Sequence, residues 1–142
     1  MLVTEILKDK GDAVFSVSPA QTLVEACREM QTRRIGAVMV CDSDRVVGVL
    51  SERDVVRAVA ASGPEALSEA ISAYMTRDVV FAEPTDTVAM LMSRMTDRRI
   101  RHLPVLRDKR LIGVISIGDV VKCQIEEATR EAESLRTYIA AG

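Results

Sequence analysis

The chain of 142 residues is long enough for one ordinary domain or two small ones, and its 48% hydrophobic and 28% charged residues are typical of a globular protein. A net charge of −2 and an aromatic content of 3% argue against a nucleic-acid-binding protein, which usually needs basic surfaces or stacking rings. No apolar run approaches the roughly 18 residues of a membrane helix, and the charged N-terminal stretch does not resemble a signal peptide. Three cysteines without CxxC spacing suit free thiols in a reducing compartment, so we expect a cytoplasmic protein.

The first half of the chain alternates helix and strand signals. A helix is predicted over residues 4–10, ended by Gly11, and a capping sequence at Thr22 opens a second helix. Two near-continuous apolar runs separated by an Asp-Ser-Asp turn predict a β-hairpin that is covered on both faces. The other predicted boundaries are strands over residues 14–17, 37–41 and 45–50 and a helix over 53–61, and the second helix carries an apolar stripe of Leu23, Ala26, Cys27 and Met30.

The second half repeats this order after a connector. Apolar residues keep helical spacing over residues 65–74 and predict that the connector is helical. A strand, a helix with an apolar stripe, a hairpin and a long final helix follow. The predicted boundaries are strands over residues 79–82, 103–106 and 111–116 and a final helix over 120–139, and the apolar stripe consists of Val88, Leu91, Met92 and Met95.

The similarity of the two halves extends to individual residues. The sequence Gly-Val-Leu-Ser-Glu-Arg-Asp from Gly48 returns 65 residues later as Gly-Val-Ile-Ser-Ile-Gly-Asp from Gly113, and the match has no gap between residues 14–57 and 79–122. Each copy, at roughly 50 residues, is small for an independent core. The sequence therefore predicts a duplicated unit whose two copies share one core.

Each copy of this motif places a serine and an aspartate where an apolar strand gives way to a helix. Asp54 and Asp119 can cap the helix, or they can accept two hydrogen bonds from a vicinal diol such as that of a ribose. Ser51 and Ser116, together with the free N–H groups of the first helical turn, can meet a phosphate. The residues alone favour capping and leave nucleotide binding as the alternative.

Taken together, these features resemble the cystathionine-beta-synthase (CBS) domain. The features are the Gly-x-x-Ser-x-x-Asp endings, a Pro-x-x-Thr sequence at Pro19 and again at Pro84, the Leu-Pro-Val strand from Leu103 and the duplication without gaps. The chain is similar to small stand-alone bacterial proteins made of one CBS pair. The resemblance implies an α/β (α+β) fold of two β-α-β-β-α repeats with pseudo-two-fold symmetry. The first repeat and an N-terminal segment would occupy residues 1–62, a helical connector 63–75, and the second repeat with an extended C-terminal helix 76–142.

The resemblance further implies two clefts between the repeats that bind adenine-containing ligands. Each cleft would use the aspartate of one repeat and the entrance of the second strand of the other repeat. The cleft of Asp54 would then contain Arg53, Arg101 and His102, and this cationic lining suits phosphates. We therefore expect this cleft to prefer the more highly charged ligand.

The cleft of Asp119 would be less basic. It would receive Gly36 and Ala37, and Gly118 stands where the other copy has an arginine. The resemblance also brings in Phe15 and Val80, which are equivalent positions of the first strand in each repeat. The complete set of nucleotide-binding candidates is Phe15, Gly36, Ala37, Ser51, Arg53, Asp54, Val80, Arg101, His102, Ser116 and Asp119.

The resemblance implies a regulatory or sensor module rather than an enzyme. One histidine gives no basis for a Ser/His/Asp triad, and no P-loop or metal-ligand cluster is present, so no catalytic residue, metal site or obligatory cofactor is predicted. The expected ligand is an adenine nucleotide such as AMP, ATP or NAD. The alternatives are a nucleotide-processing enzyme that uses Asp54 and His102, and a protein-interaction scaffold with vestigial clefts.

Assembly is also expected from the resemblance. CBS pairs bury apolar helix faces against a second pair, so we expect a homodimer with two-fold symmetry and an unidentified regulated protein as a further partner. The apolar helix residues expected at the homodimer contact are Val55, Val56, Val120 and Val121.

Overall fold

The computed structural model describes residues 2–10 and 14–141, which form two similar units of helices and strands. Helix α1 (Val3–Lys10) precedes a first unit of β1 (Ser16–Val17), α2 (Leu23–Arg33), β2 (Ala37–Asp42), β3 (Arg45–Ser51) and α3 (Glu52–Ser62). The second unit consists of α4 (Val88–Arg98), β4 (His102–Arg107), β5 (Arg110–Ser116) and α5 (Ile117–Ala141). The predicted mixed α/β duplication is therefore confirmed, while the predicted stop at Gly11 lies outside the described residues.

Each unit builds its sheet on an antiparallel hairpin. Val38 lies opposite Leu50 in the first hairpin, and Leu103 lies opposite Ile115 in the second. In the first unit β1 adds in parallel to β2, which gives the strand order β1-β2-β3. Strands β3 and β5 contact each other, so the two sheets meet. This contact explains why both hairpins are apolar on both faces.

The strand predicted over residues 79–82 is wrong except at its last residue. Ala82 lies parallel to Val105 and its N–H donates to the carbonyl of Pro104 at 2.9 Å. The preceding residues leave the sheet because the N–H of Val79 donates to the carbonyl of Arg77 at 3.0 Å, which closes a tight turn. The sheet of the second unit therefore has the two strands β4 and β5, and Ala82 adds an isolated bridge to β4.

The helical connector predicted over residues 65–74 is also wrong in part. It consists of two short 3₁₀ turns, Pro64–Ser68 and Ile71–Ala73, with Ala70 extended between them (φ −68°, ψ 144°). Ala70 pairs with Thr22, and the N–H of Leu23 donates to the carbonyl of Glu69 at 3.0 Å. A continuous helix would lose this pairing, so tertiary contacts override the helical spacing.

The buried side chains form two clusters, one for each unit, rather than the single shared core that we expected. Each cluster is completed by a segment that lies outside its own hairpin and helices. Connector residues Ile71 and Met75 join the first cluster, whereas Val3 and Ile6 of α1 join the second. Helix α1 thus packs on the second unit although it precedes the first in the sequence, and this exchange ties the two units together.

The two exchanged segments dock through equivalent contacts. The N–H of Ile71 donates to the carbonyl of Gln21 at 2.8 Å, and the N–H of Val3 donates to the carbonyl of Asp86 at 3.0 Å. Gln21 and Asp86 are equivalent positions of the duplicated sequence, 65 residues apart. The pseudo-two-fold relation between the units therefore includes the segments that join them.

Asp86 is a buried carboxylate that supports this docking point. Its side chain accepts hydrogen bonds from the Arg94 guanidinium and from the N–H of Glu83. Burial by itself raises the pKa of the Asp86 carboxyl, but these hydrogen bonds and the positive charge of Arg94 outweigh burial, and the pKa lies below its ordinary value. The ion pair therefore stabilises the fold above the ordinary carboxyl pKa, and this stabilisation is lost as the pH falls through the lowered value.

The helix stripes agree with the prediction at most positions. Leu23, Ala26 and Met30 of α2 and three of the four predicted α4 residues are buried. Cys27 is only half-buried, and Met92 is exposed. Both lie at the edge of their stripes, where the neighbouring elements no longer cover the helix.

Helix α5 is the longest element of the described structure. Its first turns pack on the second cluster through Val120 and Cys123. Val120 is fully buried, so its predicted place on an exposed dimer face is wrong. Every residue from 128 to 141 is exposed. None of the helices within residues 2–10 and 14–141 combines the length and the apolar character needed to cross a membrane.

Candidate functional site

The two Ser-x-x-Asp motifs form matching caps at the starts of α3 and α5. In the first unit the Ser51 hydroxyl oxygen accepts a hydrogen bond from the N–H of Asp54 at 3.2 Å, and Asp54 Oδ2 accepts one from the N–H of Ser51 at 3.0 Å. Ser116 and Asp119 make the same two hydrogen bonds at 3.2 and 2.9 Å. Both aspartates thus have the capping role that the residues alone favoured.

Capping does not use the whole carboxylate of Asp54. The capping bond occupies Oδ2, and the other described contact is with Thr76, whose hydroxyl oxygen lies 3.5 Å from each carboxylate oxygen. This distance is long for a hydrogen bond, so Oδ1 keeps accepting capacity. Asp54 is half-buried at a helix N-terminus, where the helix dipole favours an anion, although the N–H groups of Glu52 and Asp54 already donate to Gly36 and Ser51. Capping and ligand binding are therefore compatible at this residue.

Thr76 was not among the site residues predicted from the sequence. Its backbone pairs with Val49 of β3 through two hydrogen bonds of 2.9 Å, and this pairing sets its side chain beside Asp54. The two residues are 22 positions apart in the sequence, and no local motif links them. Only the return of the chain along the edge of β3 brings them together.

Gly36 directly precedes β2 and Arg101 directly precedes β4, and these two positions are called the strand entrances. Each strand entrance lies beside the start of the helix that ends the hairpin of the same unit. The carbonyl of Gly36 accepts a hydrogen bond from the N–H of Glu52 at 3.0 Å, and the carbonyl of Arg101 accepts one from the N–H of Ile117 at 2.8 Å. The first turn of each helix is therefore connected to its strand entrance through the backbone. The capping motif and the strand entrance thus form one local structure in each unit.

The two strand entrances also meet each other. A β-carbon added to Gly36 would lie 3.7 Å from the carboxylate of Glu52 and 3.8 Å from Cε1 of His102. Gly36 and His102 were predicted for different clefts, yet they are neighbours across the two units. Glu52 was not predicted at all, although its counterpart Ile117 marks the position as unequal in the two copies. Its carboxylate reduces the positive charge expected on this side.

A comparison with protein families shows which fold these units have. The CBS domain family matches the chain twice, over residues 4–61 and 71–126, and the two matches together make up most of the chain. The chain belongs to the CBS-domain family. The resemblance seen in the sequence is thereby confirmed, and the two units are the repeats of a tandem CBS pair.

Individual relatives agree with this assignment. The chain is 31% identical over 149 residues to the CBS domain-containing protein CBSX3, mitochondrial, of Arabidopsis thaliana, an alignment that covers 99% of this chain and 72% of that protein. It is similar to the crystal structure of the CBS-domain protein ATU1752 from Agrobacterium tumefaciens, with a TM-score of 0.84, 42% identity, and coverage of 87% of this chain and 99% of that one.

A more distant structure shares the fold alone. The CBS domain pair of protein MJ0100, in complex with 5′-methylthioadenosine and S-adenosyl-L-methionine, is 22% identical. Its TM-score with this CBS pair is 0.77, and the match covers 87% of this chain and 98% of that one.

The remaining predicted candidates have different surroundings in the CBS pair. Phe15 is half-buried on the first cluster, and the Arg33 guanidinium carbon lies 3.7 Å from the centre of its ring, a cation–π contact. Val80 is half-buried against the second cluster, and the side chains of Arg53 and Arg101 are exposed. The described contacts of Asp54 are with Ser51 of its own repeat and with Thr76, which directly follows the connector. The assignment of Arg101 to the cleft of Asp54 stays a prediction.

Other features of the CBS pair do not define a second site. A cavity of about 490 Å³ lies between the two hairpin turns and is lined by residues 42–45 and 108–110, away from the capping motifs. Within the described ranges, no three His, Cys, Asp or Glu side chains are arranged to hold a metal ion. Burial raises the pKa of the Cys27, Cys41 and Cys123 thiols, which keeps them largely protonated and poorly nucleophilic at neutral pH.

Proposed function

We propose that this CBS pair is a non-catalytic regulatory module that binds an adenine nucleotide such as AMP, ATP or NAD. The observation that carries the proposal is the duplicated cap, in which Asp54 keeps an oxygen with accepting capacity beside a helix N-terminus. A carboxylate oxygen in that position can accept hydrogen bonds from a ribose diol, and the positive end of the helix dipole favours a phosphate nearby. Both groups occur together in a nucleotide.

Relatives support the adenosine part of this proposal. The MJ0100 pair is described in complex with 5′-methylthioadenosine and S-adenosyl-L-methionine. Both ligands carry an adenosine with a ribose diol, and neither carries a phosphate. The diol is therefore the feature shared with AMP, ATP and NAD, and the ligand of this chain is tested among all of these compounds.

A regulatory role follows from where the ligand would sit. The strand entrances of the two repeats meet at Gly36 and His102, so a ligand held there would contact both repeats and favour one relative arrangement of them. The module would pass this arrangement on to a second copy and to a regulated protein in the cytoplasm. Val56 is 67% exposed on α3 and belongs to the proposed homodimer surface.

Thermal unfolding with candidate ligands tests the proposal. A nucleotide present at 100 times its Kd should stabilise the protein by about 2.7 kcal/mol and raise its Tm by several degrees. AMP, ATP, NAD and S-adenosylmethionine are compared with the matching 2′-deoxy nucleotides, which lack the diol and should shift the Tm less. No shift with any of them would support the scaffold alternative, and turnover of a nucleotide during the incubation would support the enzyme alternative.

We further propose that the two clefts differ in their preference for charge. Arg101→Ala should weaken ATP binding at the Asp54 cleft by roughly two- to fivefold, a modest loss because the side chain is exposed. It should also reduce the salt dependence of ATP binding, and it should affect AMP less. Calorimetric titration at low and high salt measures both effects.

Two controls separate the clefts in this experiment. Arg107→Ala removes an exposed arginine from the opposite end of the same strand and should leave ATP binding unchanged. Asp119→Ala should remove binding at the second cleft and spare the first. An Arg101→Ala variant with unchanged affinity and unchanged salt dependence would contradict the cross-repeat assignment of Arg101.

A further inference from the structure

The second half of helix α5 is a surface that the proposed function does not use. The first turns of α5 are anchored in the core by Val120 and Cys123, whereas all residues from 128 to 141 are exposed. The match to the CBS domain ends at residue 126. An exposed helical stretch of this length is by itself only marginally stable in water. A partner that covers one of its faces would stabilise it.

One face of α5 carries a heptad pattern of apolar residues. Spacings of four and three residues alternate along Val121, Ile125, Ala128, Ala132, Leu135 and Ile139. The large members of this stripe are exposed: Val121 by 48%, Ile125 by 62%, Leu135 by 60% and Ile139 by 68%. Alternation of four and three residues is the seam of a coiled coil, and it is narrower than the apolar face of a helix that packs on a globular core.

The residue types at the seam positions bear on how many helices the coiled coil contains. Ile125, Ala132 and Ile139 take the heptad position a, and Val121, Ala128 and Leu135 take position d. β-Branched residues at a with leucine at d favour a parallel two-stranded coiled coil, and Ile125, Ile139 and Leu135 follow this rule, whereas Val121 and the two alanines do not. The two alanines lie in the middle of the seam, where they let the helix backbones approach closely.

The charges beside the seam indicate the partner. Glu131 and Arg136 take the flanking positions g and e, five residues apart. In a parallel pair of identical helices, residue g of one helix lies next to residue e five positions later in the other. Glu131 of each copy therefore lies next to Arg136 of the other copy, and two such ion pairs form. An antiparallel pair would not bring these two positions together. The charge pattern therefore matches a second copy of the same helix in parallel.

We propose that residues 121–139 of α5 form a parallel two-stranded coiled coil with the same helix of a second copy of this chain. A seam of fewer than three heptads is short for an independent coiled coil. Contacts between the folded CBS pairs would raise the effective concentration of the two helices and compensate for this length. The inference does not depend on nucleotide binding.

Disulfide trapping tests the parallel arrangement. Leu135→Cys places a thiol in the seam at a d position, where the two copies would lie face to face, so mild oxidation of the full-length protein should give a covalent dimer. Thr137→Cys, on the outer face of the same helical turn, is the matched control and should give at least fivefold less. Oxidation of the wild-type protein under the same conditions measures how much covalent dimer its own cysteines form. No covalent dimer of the Leu135→Cys variant, or equal yields from the two variants, would overturn the proposal.

Charge exchange tests the identity of the partner. In the Leu135→Cys background, Glu131→Arg or Arg136→Glu alone places like charges opposite each other and should lower the yield of covalent dimer severalfold. The double variant with both substitutions recreates opposite charges between the copies and should restore the yield. Each variant is expected to fold because all the changed side chains are exposed. Circular dichroism checks this expectation. A double variant that dimerises no better than the single variants would overturn the proposed pairing.

Discussion

Replacing Asp54 with alanine is expected to weaken nucleotide binding by about 1.5–3 kcal/mol, roughly ten- to a hundredfold, the contribution of charge-assisted hydrogen bonds. Folding stability should fall less, by about 1 kcal/mol, because the variant loses only the capping bond to the N–H of Ser51. Calorimetric titration measures the affinity, and chemical denaturation measures the free energy of unfolding. The two losses are separable because they involve different atoms of one carboxylate.

A matched variant and a matched ligand sharpen this experiment. Asp54→Asn keeps an oxygen that can accept from the N–H of Ser51, so its stability should stay near wild type while its affinity falls. The wild-type protein should prefer AMP to 2′-deoxy-AMP, and Asp54→Ala should lose most of this preference because the diol contact is gone. If Asp54→Ala lowers stability and leaves both affinities unchanged, the aspartate is a helix cap and nothing more.

The second large effect is a loss of folding stability when Gly48 is replaced by alanine. The equivalent glycine of the second repeat, Gly113, is expected to tolerate the same change better. A β-carbon at Gly48 would lie 2.6 Å from the sulfur of Met75 and 3.0 Å from the backbone carbonyl oxygen of Thr76. Thr76 is held by two backbone hydrogen bonds to Val49 and has little freedom to withdraw. Gly48→Ala should therefore cost about 1–3 kcal/mol, the range of overpacked interior sites.

Gly113→Ala is the internal control for this prediction. A β-carbon there would collide with one methyl group of Leu7, at the far end of a flexible side chain, and every other atom near it is at least 3.5 Å away. Rotation of Leu7 relieves the collision, so Gly113→Ala should cost less than Gly48→Ala. Denaturant titration of both variants measures the difference. Equal losses would show that the backbone of Thr76 can move as easily as the Leu7 side chain.

Comparison of the two repeats shows why the candidate site could be predicted only in part. The capping motifs at Ser51 and Ser116 are local in sequence, so their hydrogen bonds follow from the spacing of serine and aspartate. Glu52 lies inside the first motif, but its proximity to His102 depends on how the two repeats pack. The charge expected for the Asp54 cleft therefore included the nearby arginines and omitted this carboxylate.

The amino-acid sequence by itself determined the duplication, both hairpins, the long helices and the capped starts of α3 and α5. Each of these depends on contacts within a few residues or on an apolar period, and both are written locally in the chain. Tertiary structure alone decided that α1 packs on the second repeat, that the connector is not a continuous helix and that Thr76 reaches Asp54. These features depend on which apolar surface a segment covers, and several surfaces of similar character compete for it. The free energy that selects among them comes from burial and pairing between distant residues, which no local pattern records.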